Sequence, residues 1–242
     1  MPIKRPQIIN GEIYHIMTRA IENLELFRNE KDYLRMIHDL FEFNNEDSVI
    51  STYREQIKLN PARTFLDGLT QRRKRKLIVE ILAFCLMPNH IHLLVRQLRE
   101  GGISKFMRKI GAGYGIHYNN KYERKGHLFQ GRYRIVHIKT QDQLKTVFVY
   151  IHTNPAALMV PGWKEKGIKE QELQKILNSL ENYRWGSYPD YLRKKNFPSL
   201  TSREFLTKIM GGVKSSQEFV SGWLQFKKEL RETPILKEVG IE

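Results

Sequence analysis

The stretch Phe84-Cys85-Leu86-Met87-Pro88-Asn89-His90-Ile91-His92-Leu93-Leu94-Val95 decides how this chain is read. Apolar, β-prone runs flank Met87-Pro88-Asn89, so the pattern predicts two strands, Leu77 to Leu86 and Ile91 to Arg96, joined by a short connection. Side chains on a strand alternate faces, so His90 and His92 point the same way, about 7 Å apart along the strand. Ile91, Leu93 and Val95 point to the opposite face and read as core. Two imidazoles at that spacing can converge on one metal ion. The plainer alternative is a pair of strand histidines hydrogen-bonded to their neighbours.

Working outward, Glu12 to Thr18 reads as a first strand, and Asn29 caps a helix running to about Phe43, with Tyr33, Leu34, Ile37, Leu40 and Phe41 at helical spacing. Residues 44–76 form a polar, basic insertion ending in five consecutive cations, Arg72, Arg73, Lys74, Arg75 and Lys76. After Gly101-Gly102, Ser104 to Tyr118 reads as a helix carrying Lys105, Arg108 and Lys109, and Phe129 to Lys139 as a strand. Thr140-Gln141-Asp142-Gln143 fits a capping box for the next helix, whose stripe is Leu144, Val147, Phe148 and Ile151. Tyr150 lies about 110° from the centre of that stripe, on its flank, with Asn154 one turn on. Pro155 disfavours helical geometry at Asn154 and ends the helix. A charged connector with a short helix from Lys169 to Leu180 follows. The expected fold is α+β: a ferredoxin-like split β-α-β core with a central antiparallel sheet, the tyrosine helix on one face and a helical C-terminal appendage. Residues 1–188 would form the main domain and 189–242 the appendage.

Charge narrows the partner. Lys and Arg outnumber Asp and Glu by 41 to 26, a formal net charge of +15. That excess suits a polyanion, nucleic acid first. The longest apolar run, Ile81 to Met87, is too short to span a bilayer, and no basic amphipathic helix suggests a membrane surface. The single cysteine, Cys85, reads as buried packing, and no apolar signal region is seen at the start. The expectation is a cytoplasmic protein associated with the nucleoid, not with a membrane.

The histidine pair and the Tyr-x-x-x-Asn of the later helix make one site if that helix packs on the sheet face to which His90 and His92 point. Two imidazoles and the Asn154 amide oxygen leave positions open for phosphate oxygens and water, a donor set suited to Mg²⁺ or Mn²⁺. Tyr150 would then be a nucleophile toward a phosphodiester. A phenolate, with a reference pKa near about 10, leaves more easily than an alkoxide, so a phosphotyrosine keeps the bond energy for rejoining. Arg132, Arg134 and Lys139 interleave with Tyr133, combining charge for phosphates with a ring for bases. Trp163, Trp185 and Trp223 read as packing anchors.

These motifs resemble the single-tyrosine HUH transposases, the IS200-like family, and more narrowly the REP-associated tyrosine transposases. The resemblance rests on five segments in order: Gly11-Glu12-Ile13-Tyr14-His15-Ile16 with Arg19; Met87 to Leu94; Gly126-His127-Leu128-Phe129-Gln130-Gly131-Arg132-Tyr133; Tyr150-Ile151-His152-Thr153-Asn154-Pro155; and Tyr183-Arg184-Trp185-Gly186-Ser187-Tyr188. It implies that Tyr150 forms a 5′-phosphotyrosine with single-stranded DNA, that His90, His92 and Asn154 bind the metal, and that the substrate is a hairpin-forming palindrome. Either a monomer or a homodimer fits. After Asn154-Pro155 the chain departs from the family: Ala156-Ala157-Leu158-Met159-Val160 lacks the usual basic residue and glycine. Two other readings compete, a non-catalytic nucleic-acid binder and a metal-dependent phosphodiesterase that uses water.

Overall fold

The computed structural model describes residues 5–47, 75–166 and 168–230. Strands β1 (Ile13–Arg19), β2 (Val79–Met87), β3 (His90–Gln97) and β4 (Arg134–Ile138) form one antiparallel sheet in the order β2-β3-β1-β4. Helix α1 (Glu30–Glu42) follows β1, α2 (Gly102–Lys121) follows β3, and α3 (Gln141–Thr153) follows β4. This is the split β-α-β order of the expected α+β core. Met87 pairs with His90 across the Pro88-Asn89 turn, so the quoted stretch is a tight hairpin.

Local signals place the helices. Asn29 Oδ1 accepts the Asp32 amide at 3.3 Å and starts α1. Thr140 Oγ1 accepts the Gln143 amide at 3.2 Å and starts α3, while Gln143 Oε1 accepts the Lys139 amide, one residue before the cap. The expected long strand from Phe129 is a correction. Gly126 and Gly131 adopt φ of +92° and +63°, turning the chain, and only a single bridge joins Phe129 to Ala20. The strand therefore begins at Arg134, leaving Arg132 and Tyr133 ahead of it.

Strand alternation divides the core. Ile91, Leu93 and Val95 join Tyr14 and Ile16 of β1, Met36 and Leu40 of α1, and Ile103, Phe106 and Ile110 of α2 in one cluster. Burying each such aliphatic side chain contributes ~1.5–3 kcal/mol. On the other face Leu94, Ala83 and Cys85 pack under Leu144, Val147, Phe148 and Ile151 of α3.

The same second cluster runs on into the C-terminal helices: α4 (Ala156–Met159), α5 (Trp163–Lys166), α6 (Glu170–Glu181), α7 (Tyr188–Tyr191), α8 (Glu204–Ile209) and α9 (Val213–Leu230). Trp163, Leu180, Tyr188, Tyr191, Leu206, Val220 and Leu224 are buried in it with α3. Residues 183–202 also cover the open edge of β2: the Leu86 amide bonds Trp185 O, the Ser187 amide bonds Phe84 O, and Tyr191 Oη donates to Leu82 O at 2.6 Å. No helix among the described residues is long and apolar enough to cross a membrane.

Both ends of the basic insertion are tied down. Asn44 is buried and its side chain bonds Ile78 N, Val79 N and Val79 O. The Glu46 amide bonds Lys76 O at 2.8 Å. Arg72, Arg73 and Lys74 lie outside the described residues.

Candidate active site

The hairpin strand β3 delivers His90 and His92 to the face covered by α3, and β1 adds a third imidazole. His15 pairs with Leu94 and Met17 with His92, so His15 and His92 are diagonal neighbours on one face. His15 Nε2 and His92 Nδ1 share a hydrogen bond at 3.0 Å. His90 and His92 bring their ring centroids to 4.9 Å at nearly right angles. His90 Nδ1 lies 2.7 Å from Asn89 Oδ1. His92 Nε2 is buried with no hydrogen-bond partner.

Helix α3 lays Tyr150 across these rings. Its ring stands edge-on to His92 at 5.4 Å and to His15 at 5.9 Å. The flank position expected from the helical wheel is thus a buried one: Tyr150 is 8 % exposed, because sheet and α5 close over it. Asn154, the C-cap of α3, is buried, and its Nδ2 donates to Tyr150 O at 2.7 Å. Lys164 of α5 donates from Nζ to Asn154 Oδ1 at 3.2 Å and stands 4.3 Å from the centroid of the Tyr150 ring. The structure brings His90, His92 and Tyr150 together, with Asn154 joined to Tyr150, and adds His15 and Lys164, which sequence reading missed. His15 stood in a quoted motif; only its place on the strand paired with β3 marks it. No local signal marks Lys164.

Burial sets the protonation of the site. Desolvation, with the Lys164 charge second, lowers His15 to about 4. Desolvation, then the Arg19 and Lys164 charges, lowers His90 to about 4. Desolvation and the neighbouring His15 drive His92 well down. All three rings are therefore neutral at pH 7, the form that ligates metal. Burial pushes the Tyr150 phenol up to about 12, against the opposing pull of Arg19, Asn154 and Arg134.

The donor set fits a divalent ion in one respect above all: a buried imidazole nitrogen, His92 Nε2, lacks a partner and adjoins a second imidazole. No group of three His, Cys, Asp or Glu side chains among the described residues is arranged to hold a metal. A site here needs a mixed set with an amide oxygen.

The other basic residues separate. Arg134 lies on the histidine face, paired with Met17, and its charge reaches Tyr150. Arg108, Arg132 and Tyr133 instead line a cleft of about 160 Å³ with Ser104, Met107 and Phe129, on the α2 side of the sheet. Lys105 sits on α2 beside Ser104, and Lys139 is exposed after β4. Arg75 is held by α1: its guanidinium lies over the Phe41 ring at 3.5 Å and Nη1 donates to Phe41 O. Lys76 is exposed. The closing aromatic segment is structural: Trp185 stacks on Tyr33 at 4.4 Å, and His152 Nε2 bonds Ser187 Oγ at 2.8 Å, fastening α3 to it.

No curated protein sequence matches the chain. A solved structure described as the REP-associated tyrosine transposase bound to a REP hairpin is similar, at 16 % identity and a TM-score of 0.48, over 84 % of this chain and 93 % of that one. Residues 48–154, which hold His90, His92, Tyr150 and Asn154, match the model of the family described as "Transposase IS200 like".

Proposed function

We propose that this protein is a metal-dependent endonuclease and strand transferase for single-stranded, hairpin-forming DNA, working through a 5′-phosphotyrosine on Tyr150. The observation that carries the reading is the convergence of Tyr150 on the His90–His92 pair, with His92 Nε2 buried and unpartnered.

With His92 Nδ1 donating to His15, its Nε2 would face the site as a lone pair, and His15 would act as a positioning residue. His90, held through Nδ1 by Asn89, would offer its Nε2 likewise. His90, His92 and the Asn154 amide oxygen are the residues that would hold Mg²⁺ or Mn²⁺. The ion, when bound, supplies a Lewis acid that takes up developing phosphate charge. Tyr150 Oη attacks phosphorus and loses its proton; the P–O3′ bond breaks and the departing 3′ oxygen gains a proton. The 5′ phosphate stays on the enzyme, and a DNA 3′-hydroxyl later reverses the exchange. Arg19 and Arg134 favour the phenolate, offsetting the burial that raises the phenol. The palindromic hairpin as substrate, with REP-type repeats as its narrowest form, follows from the motif resemblance.

The test is a denaturing gel of protein incubated with a labelled hairpin in Mn²⁺. An adduct in the wild type that disappears in Tyr150→Phe supports the reading. Cleavage without any adduct would favour a water-using phosphodiesterase, and neither cleavage nor adduct a silent binder.

A further inference from the structure

Lys164 belongs to none of the quoted motifs, yet its ammonium is inside the site. It is carried there by α5, whose Trp163 is fully buried in the cluster that joins α3 to the C-terminal helices. Nζ is hydrogen-bonded to Asn154 Oδ1 at 3.2 Å, above the Tyr150 ring. Asn154 Oδ1 is also the oxygen assigned above to a divalent ion. An Mg²⁺ ligand oxygen sits at about 2.1 Å from the ion. An ion placed on this oxygen would therefore lie within about 5 Å of an ammonium that stays put, in a partly desolvated site where like charges repel strongly.

We propose that Lys164 is the resident cation of the site: in the metal-free protein it occupies the Asn154 amide oxygen, and a divalent ion must displace it to bind there. Lys164 is an ammonium with only donors, so it fixes the amide with its oxygen toward the site. That orientation does not depend on Lys164 alone, because Asn154 Nδ2 is independently held by Tyr150 O at 2.7 Å. Removing Lys164 thus leaves the ligand in place and removes its competitor, so metal affinity rises. This inference rests on the proposed function only in naming a divalent ion as the other partner of Asn154.

The experiment is calorimetric titration of Mn²⁺ into the DNA-free, full-length protein, read as a dissociation constant. Lys164→Met is expected to bind about tenfold more tightly than the wild type, a coupling of ordinary size. Lys164→Arg, which keeps the charge, stays near the wild type. In an Asn154→Ala background the gain from Lys164→Met shrinks to less than about twofold, since the shared oxygen is gone. Wild-type binding with unchanged or weaker affinity in Lys164→Met overturns this inference and leaves the metal role standing. Absence of Mn²⁺ binding in the wild type and in both Lys164 variants overturns the metal role, and this inference with it.

Discussion

The two faces of the one sheet are both covered by helices, yet where β1 and β3 cross the site they differ in chemistry. On the α1/α2 face, Tyr14, Ile16, Ile91, Leu93 and Val95 are at most 1 % exposed and purely a packing surface, the Tyr14 hydroxyl reaching out to Ile9 N at 2.8 Å. On the α3 face, residues of the same two strands present His15 and His92 at 5 % and 2 % exposure, under a buried tyrosine. A buried polar atom without a partner, such as His92 Nε2, costs about 1–3 kcal/mol. The patch that tolerates that cost is not organised for stability, although the rest of its face packs apolar side chains under α3. The difference teaches that strand alternation separates the two tasks at one end of β3: Ile91, Leu93 and Val95 hold the fold, while His90 and His92 face the site and Leu94, beyond them, returns to packing.

The sharpest way to break this division is at Tyr150. Tyr150→Phe is expected to abolish adduct formation, a loss of at least about 10³-fold, while unfolding free energy in urea changes by less than about 1 kcal/mol. Adduct at the wild-type rate would remove Tyr150 from the chemistry. Next comes the adjacent pair on β3. Leu93→Ala should cost ~2–5 kcal/mol of stability yet leave the folded fraction able to cleave. His92→Ala should end metal-dependent cleavage and cost less stability than Leu93→Ala. If urea melts rank the two the other way, the division of faces is wrong.

A smaller effect comes from pH. His15 and His90 are held neutral in the fold, each at about 4, whereas the unfolded chain takes up these protons near about 6.5. The folded state is therefore fully favoured above that pH and loses stability as pH falls from about 6.5 toward 4. In EDTA, the wild type should be less stable at pH 5 than at pH 7.5, and His15→Gln should show a shallower decline. Equal slopes would mean that His15 is protonated in the fold.

The smallest effect concerns the basic insertion. Arg75 is engaged by Phe41, so the charges to test are Arg72, Arg73, Lys74 and Lys76. If all four contact phosphates, replacing them with Gln should flatten the slope of log affinity against log salt by up to about 2.8 for a single strand. Fluorescence anisotropy on one hairpin reads this directly. An unchanged slope would confine DNA contact to the sheet and α2.

The sequence by itself determined what short-range patterns encode. Period-two alternation put His90 and His92 on one face and Ile91, Leu93 and Val95 on the other. The caps Asn29 and Thr140 start their helices where expected, whereas Pro155 does not turn Asn154 out of helical geometry: Asn154 keeps φ −52° and ψ −40° after α3 ends at Thr153, because the chain runs straight on into α4. Those signals act within one turn or one hairpin, so a single chain segment carries them. Tertiary structure alone decided the rest. His15 reaches His92 across 77 residues through the register of β1 on β3, and nothing in either segment states that register. Lys164 enters because Trp163 is buried in the cluster that joins α3 to the C-terminal helices, a packing outcome. Arg134 and Tyr133 look alike in sequence as neighbours on a basic strand, yet two glycines at positive φ delay the strand, so Arg134, its first residue, reaches toward the tyrosine while Tyr133, ahead of it, lines the opposite cleft. The composition of a face is local information, whereas the partners that complete a site depend on how distant elements pack.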